Sequence, residues 1–382
     1  MKKKGFTLIE LLAVIVVLAI IALIATPIVM NTIKSAKKGA AERSAENYID
    51  ALETVVATKR LDGNILEGEY LVQSDGNLCP TSGCGENDKD KVVVEVNGNK
   101  PIRGTIVVKD GQVTTDSKMI IGEYGVSYDK GAKRYVAVRI YNNGQIVYFN
   151  VTTGEKCLSS EYTETQSNTG VKEGCMKFYA FNDDGGVTLN LILDHNTTTA
   201  AVAWNSSGNN TSGPKEVLEQ LKTDTSLWQG TETPANYTMD QSIQGSKANY
   251  TIDYSRYKAR LVTAGEIAQI TDNTSWDEKT ADNMYYFDSK TSTASDTCKD
   301  GDTSGCKYGW LYDRTYTNCT KYGCFNNSDQ AIYGYWTSSS RASSSNTAWD
   351  VHCFGTVYNN GIRNDSSYGV RPVIEVLKSK LS

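Results

Sequence analysis

Histidine is scarce in this sequence, which contains only His195 and His352 among its 382 residues. Histidine is the side chain most often used for proton transfer near neutral pH. The sequence also lacks the Gly-x-Ser-x-Gly pattern of an exposed serine nucleophile and the glycine-rich loop that binds phosphates. Nucleophilic and acid–base catalysis therefore have few candidate residues, and we expect a protein that is not an enzyme and has no cofactor.

An excess of basic residues is also missing, since 39 Lys and Arg face 44 Asp and Glu for a net charge of -5. Removal of Lys2, Lys3 and Lys4 would take the charge to -8. Nucleic-acid binding depends on basic side chains that replace phosphate counterions. We therefore expect no direct nucleic-acid partner.

Only six prolines occur, whereas Gly, Ser, Thr, Asn and Tyr are abundant. This composition favours a polar-surfaced extracellular protein that contains β-structure. With 39% hydrophobic residues, the chain is also long enough for two or three domains with cores of their own. We expect an exported, folded protein.

No two of the nine cysteines have the two-residue spacing that zinc sites favour, so we predict no metal site. The short spacings favour local disulfides in an oxidising compartment. The expected pairs are Cys79–Cys84, Cys157–Cys175, Cys298–Cys306 and Cys319–Cys324, with Cys353 left over.

The longest apolar stretch lies between residues 6 and 30, with an unbroken apolar run from Leu11 to Ala25. About 20 such residues span a bilayer, so the sequence predicts a single-pass membrane helix over 6–30. Glu10 lies at the edge of this run, where a carboxylate costs roughly 2.5 to 3.5 kcal/mol to insert into lipid. The charge at Glu10 therefore needs a partner.

The first ten residues, Met-Lys-Lys-Lys-Gly-Phe-Thr-Leu-Ile-Glu, resemble the type IV prepilin signature. The resemblance implies that a prepilin peptidase removes a leader of residues 1–5 between Gly5 and Phe6 and that the new amino group is methylated. It also implies that Glu10 pairs with the amino terminus of a neighbouring pilin subunit. A secretory signal peptide would instead carry its cleavage site after the apolar core. A plain signal anchor has the same apolar length but gives no reason for Glu10.

Residues 31–156 are predicted to form the rest of the helix, to about Thr58, and a pilin-like head with an antiparallel sheet. Pro27 should weaken the helical turn before it, because proline lacks an amide proton; in the resembled pilins such a proline marks a segment that loosens on assembly. Strand patterns follow at 91–96, 105–109, 134–141 and 145–151. The Asn-Gly turn at residues 143–144 predicts a tight hairpin between the last two.

A connector over 157–175 and a second domain over 176–382 complete the predicted organisation. We expect a strand pair around Asn182–Gly186 and a short helix over 214–223. Thr263 with Glu266 three residues later predicts a capping box at the start of another helix.

The second domain resembles the C-type-lectin-like domains related to formylglycine-generating proteins, in particular those that end the targets of diversity-generating retroelements. The motifs that carry this resemblance are Arg260-Leu261-Val262-Thr263, Tyr333-Gly-Tyr-Trp336 and Tyr368-Gly-Val-Arg-Pro-Val-Ile374. The related enzymes use two reactive cysteines, whereas this tail has only Cys353. The resemblance implies binding of an unknown extracellular ligand without catalysis.

Polar residues in the tail alternate with a packing framework, and Tyr, Ser and Asn suit adaptable binding loops. The predicted ligand-binding residues are Asp350, His352, Thr356, Tyr358, Asn359, Asn360, Arg363, Asn364 and Asp365. A fixed surface and a diversified one both fit this composition. Asp300–Gly305 looks like the start of a calcium loop, but Leu311 stands where such a loop needs glutamate.

The sequence thus predicts an α+β protein with a long N-terminal helix, a pilin-type antiparallel sheet and a loop-rich C-type-lectin-like α+β domain. We expect a surface subunit in the bacterial cell membrane that, after assembly, displays a binding domain on a pilus. The alternative is a minor pilin or pseudopilin with a structural role in a secretion or DNA-uptake filament.

Overall fold

A computed structural model of the chain describes residues 8–84, 90–163, 172–197, 201–241, 248–287, 307–312, 334–352, 355–363 and 367–381. The chain divides into two compact units. Unit 1 comprises residues 1–140 with 184–186, and unit 2 comprises residues 141–183 and 187–382. Their elements confirm the α+β class.

Among its described residues, unit 1 forms one long helix, α1 (Leu8–Leu61), and one antiparallel sheet. The strands are β1 (Gly68–Val72), β2 (Leu78–Pro80), β3 (Arg103–Lys109), β4 (Gln112–Val113), β5 (Lys118–Ile121), β6 (Tyr124–Asp129) and β7 (Arg134–Arg139). They are arranged in the order β2-β1-β3-β5-β6-β7, with β4 paired to β3. Pro27 lies inside α1, which continues past it without interruption.

The C-terminal half of α1 buries one apolar stripe because its small and aromatic residues recur every three or four positions. Ala41, Ala45, Tyr48, Leu52 and Val56 are all buried in the core of unit 1. The sheet contributes Ile106, Val108, Met119, Ile121 and Val126 to the same core. The amphipathic helix packed on a sheet is therefore present as the sequence predicts.

No helix is long and apolar enough to cross a membrane within the part of the chain whose side chains the structure describes.

Among its described residues, unit 2 contains three sheets, of which one is mixed, and two short α-helices. The strands are β8 (Ile146–Asn150), β9 (Glu155–Lys156), β10 (Cys175–Phe181), β11 (Thr188–Leu193), β12 (Tyr237–Asp240), β13 (Asn249–Ile252), β14 (Tyr285–Tyr286), β15 (Gly334–Ser340), β16 (Thr347–His352), β17 (Thr356–Gly361), β18 (Tyr368–Gly369) and β19 (Val373–Leu377). The helices are α2 (Glu216–Thr225) and α3 (Ala264–Ile270). The sheet orders are β19-β11-β10-β8-β9, β12-β13 and β14-β17-β16-β15-β18, in which β15 and β18 are parallel.

Two sequence predictions about strands are wrong. The hairpin at the Asn-Gly turn does not form, since β7 pairs with β6 in unit 1 whereas β8 pairs with β10 in unit 2. The segment 91–96 is not a strand, and only Val92 forms a bridge, to Leu78. The strand pair β10–β11, helix α2 and the capping box of α3 agree with the predictions.

The boundary between the compact units differs from the predicted connector at 157–175. The chain enters unit 2 at Tyr141, because β8 and β9 extend the sheet that begins with β10. The disulfide Cys157–Cys175 lies inside this unit, and Cys79–Cys84 lies inside unit 1. The predicted pairs Cys298–Cys306 and Cys319–Cys324, and Cys353, lie outside the described residues.

Candidate functional site

The predicted ligand-binding residues converge on the antiparallel strands β16 and β17. Their register pairs His352 with Thr356, Asp350 with Tyr358, and Trp349 with Asn359. Side chains alternate between the two faces of a strand, and directly paired residues share a face. We call Asp350, His352, Thr356, Tyr358 and Asn360 the His352 face, and Thr347, Trp349 and Asn359 the Trp349 face.

Apolar residues fix this register. Val351 and Val357 are paired and fully buried, and they pack with Tyr335 and Trp349 in one core cluster. A slip by one residue would move both valines to the opposite face. The framework that the sequence predicts for the tail therefore holds the polar positions in place.

Asn360 connects the polar side chains of the His352 face through hydrogen bonds. Its Nδ2 donates to Asp350 Oδ2 at 3.0 Å and to Tyr368 Oη at 2.5 Å. The His352 ring lies 5.8 Å from the Tyr358 ring and 6.2 Å from the Tyr368 ring, measured between centroids. Together with Tyr368, this face therefore forms a compact cluster that contains one acid, one imidazole, one amide and two phenols.

Burial shifts the pKa values of the acid and the imidazole of this cluster in opposite directions. It raises the pKa of Asp350 from 3.8 to about 7, against the opposing effects of His352 and of hydrogen bonds from Asn360 and Tyr368. Burial also lowers the pKa of His352, which the nearby Asp350 opposes. His352 therefore favours its neutral form at neutral pH, whereas Asp350 is mostly protonated only below about pH 7.

Exposure separates the predicted residues of this face into two groups. Asp350 and Thr356 have 0% and 2% of their surface exposed, so they are unable to contact an external ligand in this conformation. Tyr358 is 37% exposed, and His352 and Asn360 are half-buried. The accessible surface of the cluster is thus aromatic and hydrogen-bonding.

The other predicted ligand-binding residues are not part of this cluster. Asn359 lies on the Trp349 face, where its Oδ1 accepts a hydrogen bond from Arg341 Nη1 at 3.2 Å. Arg363 is exposed and donates to the Ser207 carbonyl at 2.9 Å. Asn364 and Asp365 lie outside the described residues.

Sequence reasoning missed Tyr368, which contacts the His352 face, and Arg341, which contacts the Trp349 face. Tyr368 belongs to β18, which pairs in parallel with β15, and this contact has no local sequence pattern. Arg341 directly follows β15 and is the one charged residue within Ser338–Ser345. A lone charge in a small-residue segment is the signal that could have identified Arg341.

One group of possible metal-ligating side chains occurs among the described residues, formed by Cys157, Glu161 and Cys175. The two sulfurs are joined in a disulfide, so they have no thiolate to offer a metal. Glu161 instead accepts the Leu158 amide proton at 2.5 Å. This group therefore stabilises a turn.

Comparison with known families concerns only the N-terminus. Residues 1–26 match the family described as "Prokaryotic N-terminal methylation motif". The chain has a type IV pilin-like N-terminus. Searches of curated proteins and of solved structures found no match to the chain.

The motif supports a pilin or pseudopilin-like surface subunit that is membrane-anchored or exposed on the surface. It also implies processing by a prepilin peptidase and assembly with other pilins. Gly5 and Phe6, the predicted cleavage positions, are within the matched range but outside the described residues. Glu10 lies in both the matched range and α1, whereas Pro27 lies in α1 just beyond the match.

Proposed function

We propose that the chain is a type IV pilin-like subunit whose unit 2 is a non-catalytic, lectin-like binding domain for adhesion. The N-terminal helix would anchor the subunit by a single pass in the bacterial membrane before assembly and would then pack in the filament. The acid at Glu10 would meet the amino group of Phe6 on the next subunit. Unit 2 would be carried on the filament surface.

The observation that carries this proposal is the combination of a methylation motif with a second compact unit. Unit 2 has its own apolar core, which includes the fully buried Trp204, Trp336 and Phe178. A subunit that only builds a filament needs the helix and the unit that packs on it. An additional folded unit is therefore best explained by a further task such as binding.

The surface that we assign to binding is the exposed part of the His352 face. Tyr358 offers a rigid aromatic ring, and Asn360 is held by Asp350 and Tyr368. The two side-chain hydrogen bonds that Asn360 forms among the described residues both use Nδ2, so we assign its Oδ1 to accept a hydrogen bond from a ligand. Rigid aromatic and fixed amide contacts reduce the entropy lost on binding.

The proposal is tested with filaments assembled from the full chain and applied to a panel of immobilised neutral and acidic saccharides. We expect adhesion to at least one saccharide, and we expect Tyr358→Ala to reduce it at least about tenfold, as for a central aromatic contact. Leu227→Ala is the matched control, because Leu227 is 80% exposed in unit 2 and belongs to neither face.

Two results would contradict the binding role. Filaments that assemble normally and bind no saccharide would leave a structural minor pilin or pseudopilin as the better description. Equal loss of adhesion in Tyr358→Ala and Leu227→Ala would show that the His352 face is not the binding surface. Melting curves of both variants check that unit 2 remains folded.

A further inference from the structure

We propose that the Trp349 face, together with Arg341 and Trp276, is a second binding site that takes a carboxylate attached to a ring. This site uses none of the residues of the His352 face. It therefore goes beyond the proposed function, and its test is separate from the adhesion test above.

Three buried polar atoms at this place have no hydrogen-bond partner among the described residues. They are Trp349 Nε1, Arg341 Nε and Thr347 Oγ1. Two of them are N–H donors, and Trp349 is fully buried. A buried donor without an acceptor costs free energy, so an acceptor that enters the site would be favoured.

The three atoms belong to one patch of the sheet. Thr347 and Trp349 are two residues apart on β16 and therefore share a face. Asn359 is directly opposite Trp349 in the register, and its Oδ1 accepts from Arg341 Nη1 at 3.2 Å. The hydrogen bond to Asn359 thus holds the guanidinium beside Trp349.

The charge of Arg341 indicates the class of acceptor. Within the described part of the chain, Arg341 forms no ion pair with Asp or Glu, although several other cations of unit 2 do. Its Nη2 donates to a neutral acceptor, the Asp282 carbonyl, at 2.7 Å. A guanidinium presents several N–H groups in a plane that matches a carboxylate. A carboxylate would satisfy both the charge and the donors.

Aromatic rings beside the donors suit a ring-shaped ligand body. The Trp276 ring is half-buried and lies 5.0 Å from the Trp349 ring at 76° and 5.2 Å from the Tyr285 ring. Partly exposed aromatic rings pack well against flat apolar faces. We therefore expect a ring bearing a carboxylate rather than a bare anion.

The exposed segment Asp282–Met284 gives the route of entry. Two side chains hold it, since Arg341 Nη2 donates to the Asp282 carbonyl and Trp276 Nε1 donates to the Asn283 carbonyl at 2.8 Å. Both acceptors are neutral backbone carbonyls, and a carboxylate, as a charged acceptor, forms stronger hydrogen bonds with the same donors. Ligand oxygens would therefore exchange with these carbonyls as the segment moves outward.

The test titrates the full chain in detergent with glucuronate and with benzoate, using glucose and benzyl alcohol as the matched neutral rings. Binding is followed by the indole N–H signals of ¹⁵N-tryptophan-labelled protein, and Trp349→Phe identifies the Trp349 signal. We expect at least one of the two carboxylates to shift this signal, and we expect neither neutral ring to do so.

Substitutions assign the binding to Arg341. Arg341→Gln should weaken carboxylate binding at least about tenfold, because it removes the charged hydrogen-bond donors that the carboxylate would use. Arg341→Lys should retain part of the affinity, since it keeps the charge but loses the planar fork. Arg363→Gln, which removes an exposed arginine after the end of β17, should bind as the unsubstituted chain does.

The proposal is overturned if neither carboxylate moves the Trp349 signal, in which case the donors hold ordered water only. It is also overturned if the neutral rings shift the signal equally or if Arg341→Gln binds unchanged. Tyr358→Ala should leave this titration unaltered, so the outcome is independent of the adhesion test. The melting temperature of Arg341→Gln verifies that the variant is folded before its affinity is interpreted.

Discussion

The carboxyl group of Asp350 is a buried acid in the middle of a strand. Its Oδ2 accepts from Asn360, whereas its Oδ1 has no hydrogen-bond partner among the described residues. A protonated carboxyl keeps the acceptor at Oδ2 and carries its proton at Oδ1. This explains physically why burial raises the pKa of Asp350 to about 7.

Replacement of Asp350 by Asn should therefore change how stability depends on pH. The folded protein binds the Asp350 proton more tightly than the unfolded chain does, so this stabilisation is complete below pH 3.8 and is lost as pH rises to about 7. In that window the free energy of unfolding falls by at most about 1.4 kcal/mol per pH unit through this group. Asp350→Asn should remove this fall, as measured by urea unfolding between pH 4 and 8.

Asp253→Asn provides a control of opposite sign. Asp253 is an exposed acid whose pKa is lowered by a hydrogen bond from the Ser255 amide. Asp253→Asn should therefore slightly reduce the free energy of unfolding above pH 4. Parallel pH profiles for the unsubstituted chain and Asp350→Asn would contradict the raised pKa of Asp350, because they would show equal proton binding by this group in the folded and unfolded states.

Strand alternation in the tail could be predicted from the sequence, but the depth of each residue could not. The small, polar and aromatic pattern after Trp336 correctly separates Trp349 and Val351 from Asp350 and His352. Whether Asp350 contacts solvent depends on Asn360 and Tyr368, which reach it from other strands. Such contacts depend on the sheet order β17-β16-β15-β18, which local sequence patterns do not encode.

At the level of elements, the start of α3 joins three parts of unit 2. Thr263 Oγ1 accepts from the Glu266 amide at 2.9 Å, and Glu266 Oε2 accepts from the Thr263 amide at 2.9 Å. Glu266 also binds Arg260 through both carboxylate oxygens, at 2.6 and 2.8 Å. Arg260 Nε also donates a hydrogen bond to Glu375 Oε1 on β19 at 3.1 Å. The short helix α3 is thus connected to the sheet β19-β11-β10-β8-β9 through the buried guanidinium of Arg260.

Substitutions at the two ends of the capping box should therefore differ in cost. Thr263→Ala removes one cap and should cost about 1 kcal/mol of the free energy of unfolding. Glu266→Ala also removes the bidentate partner of the buried Arg260, which keeps Glu375 as a carboxylate partner. Its cost should therefore exceed that of Thr263→Ala and stay below the about 3–5 kcal/mol of a buried charge left wholly unpaired. Urea unfolding of both variants measures the difference.

Equal losses in the two variants would contradict the role that we give to Arg260. The exposed pair Lys130–Asp116, at 3.2 Å, serves as the control, because Asp116→Ala should cost less than about 1 kcal/mol.

The capping box and the Asn-Gly turn show what a local pattern can and cannot predict. The box was predictable because both of its hydrogen bonds lie within four residues. The turn at Asn143–Gly144 was not, because β8 pairs with β10, where Phe149 and Phe178 enter the apolar core of unit 2. Burial of these aromatic side chains outweighs the preference of a two-residue loop for a hairpin.

At the scale of the whole molecule, the N-terminal motif and unit 2 differ in how far the sequence alone predicts them. The motif is readable from the first ten residues because its defining positions are neighbours in the sequence. The start of unit 2 at Tyr141 was not readable, because β8 belongs to a sheet whose other strands come later in the chain. Assembly can therefore be tested by substitutions in the motif alone.

Glu10→Ala should leave cleavage intact and reduce incorporation into filaments to background. The cleavage site between Gly5 and Phe6 precedes Glu10, whereas a subunit without this carboxylate has no partner for the methylated amino group of its neighbour in an apolar surrounding. Mass spectrometry of the N-terminal peptide should find methylated Phe6 in both proteins, and electron microscopy should find the subunit only in filaments of the unsubstituted chain. Glu46→Ala, at an exposed position of the same helix, should assemble normally. Normal filaments from Glu10→Ala would refute the pairing, and an intact Met1 would refute the processing.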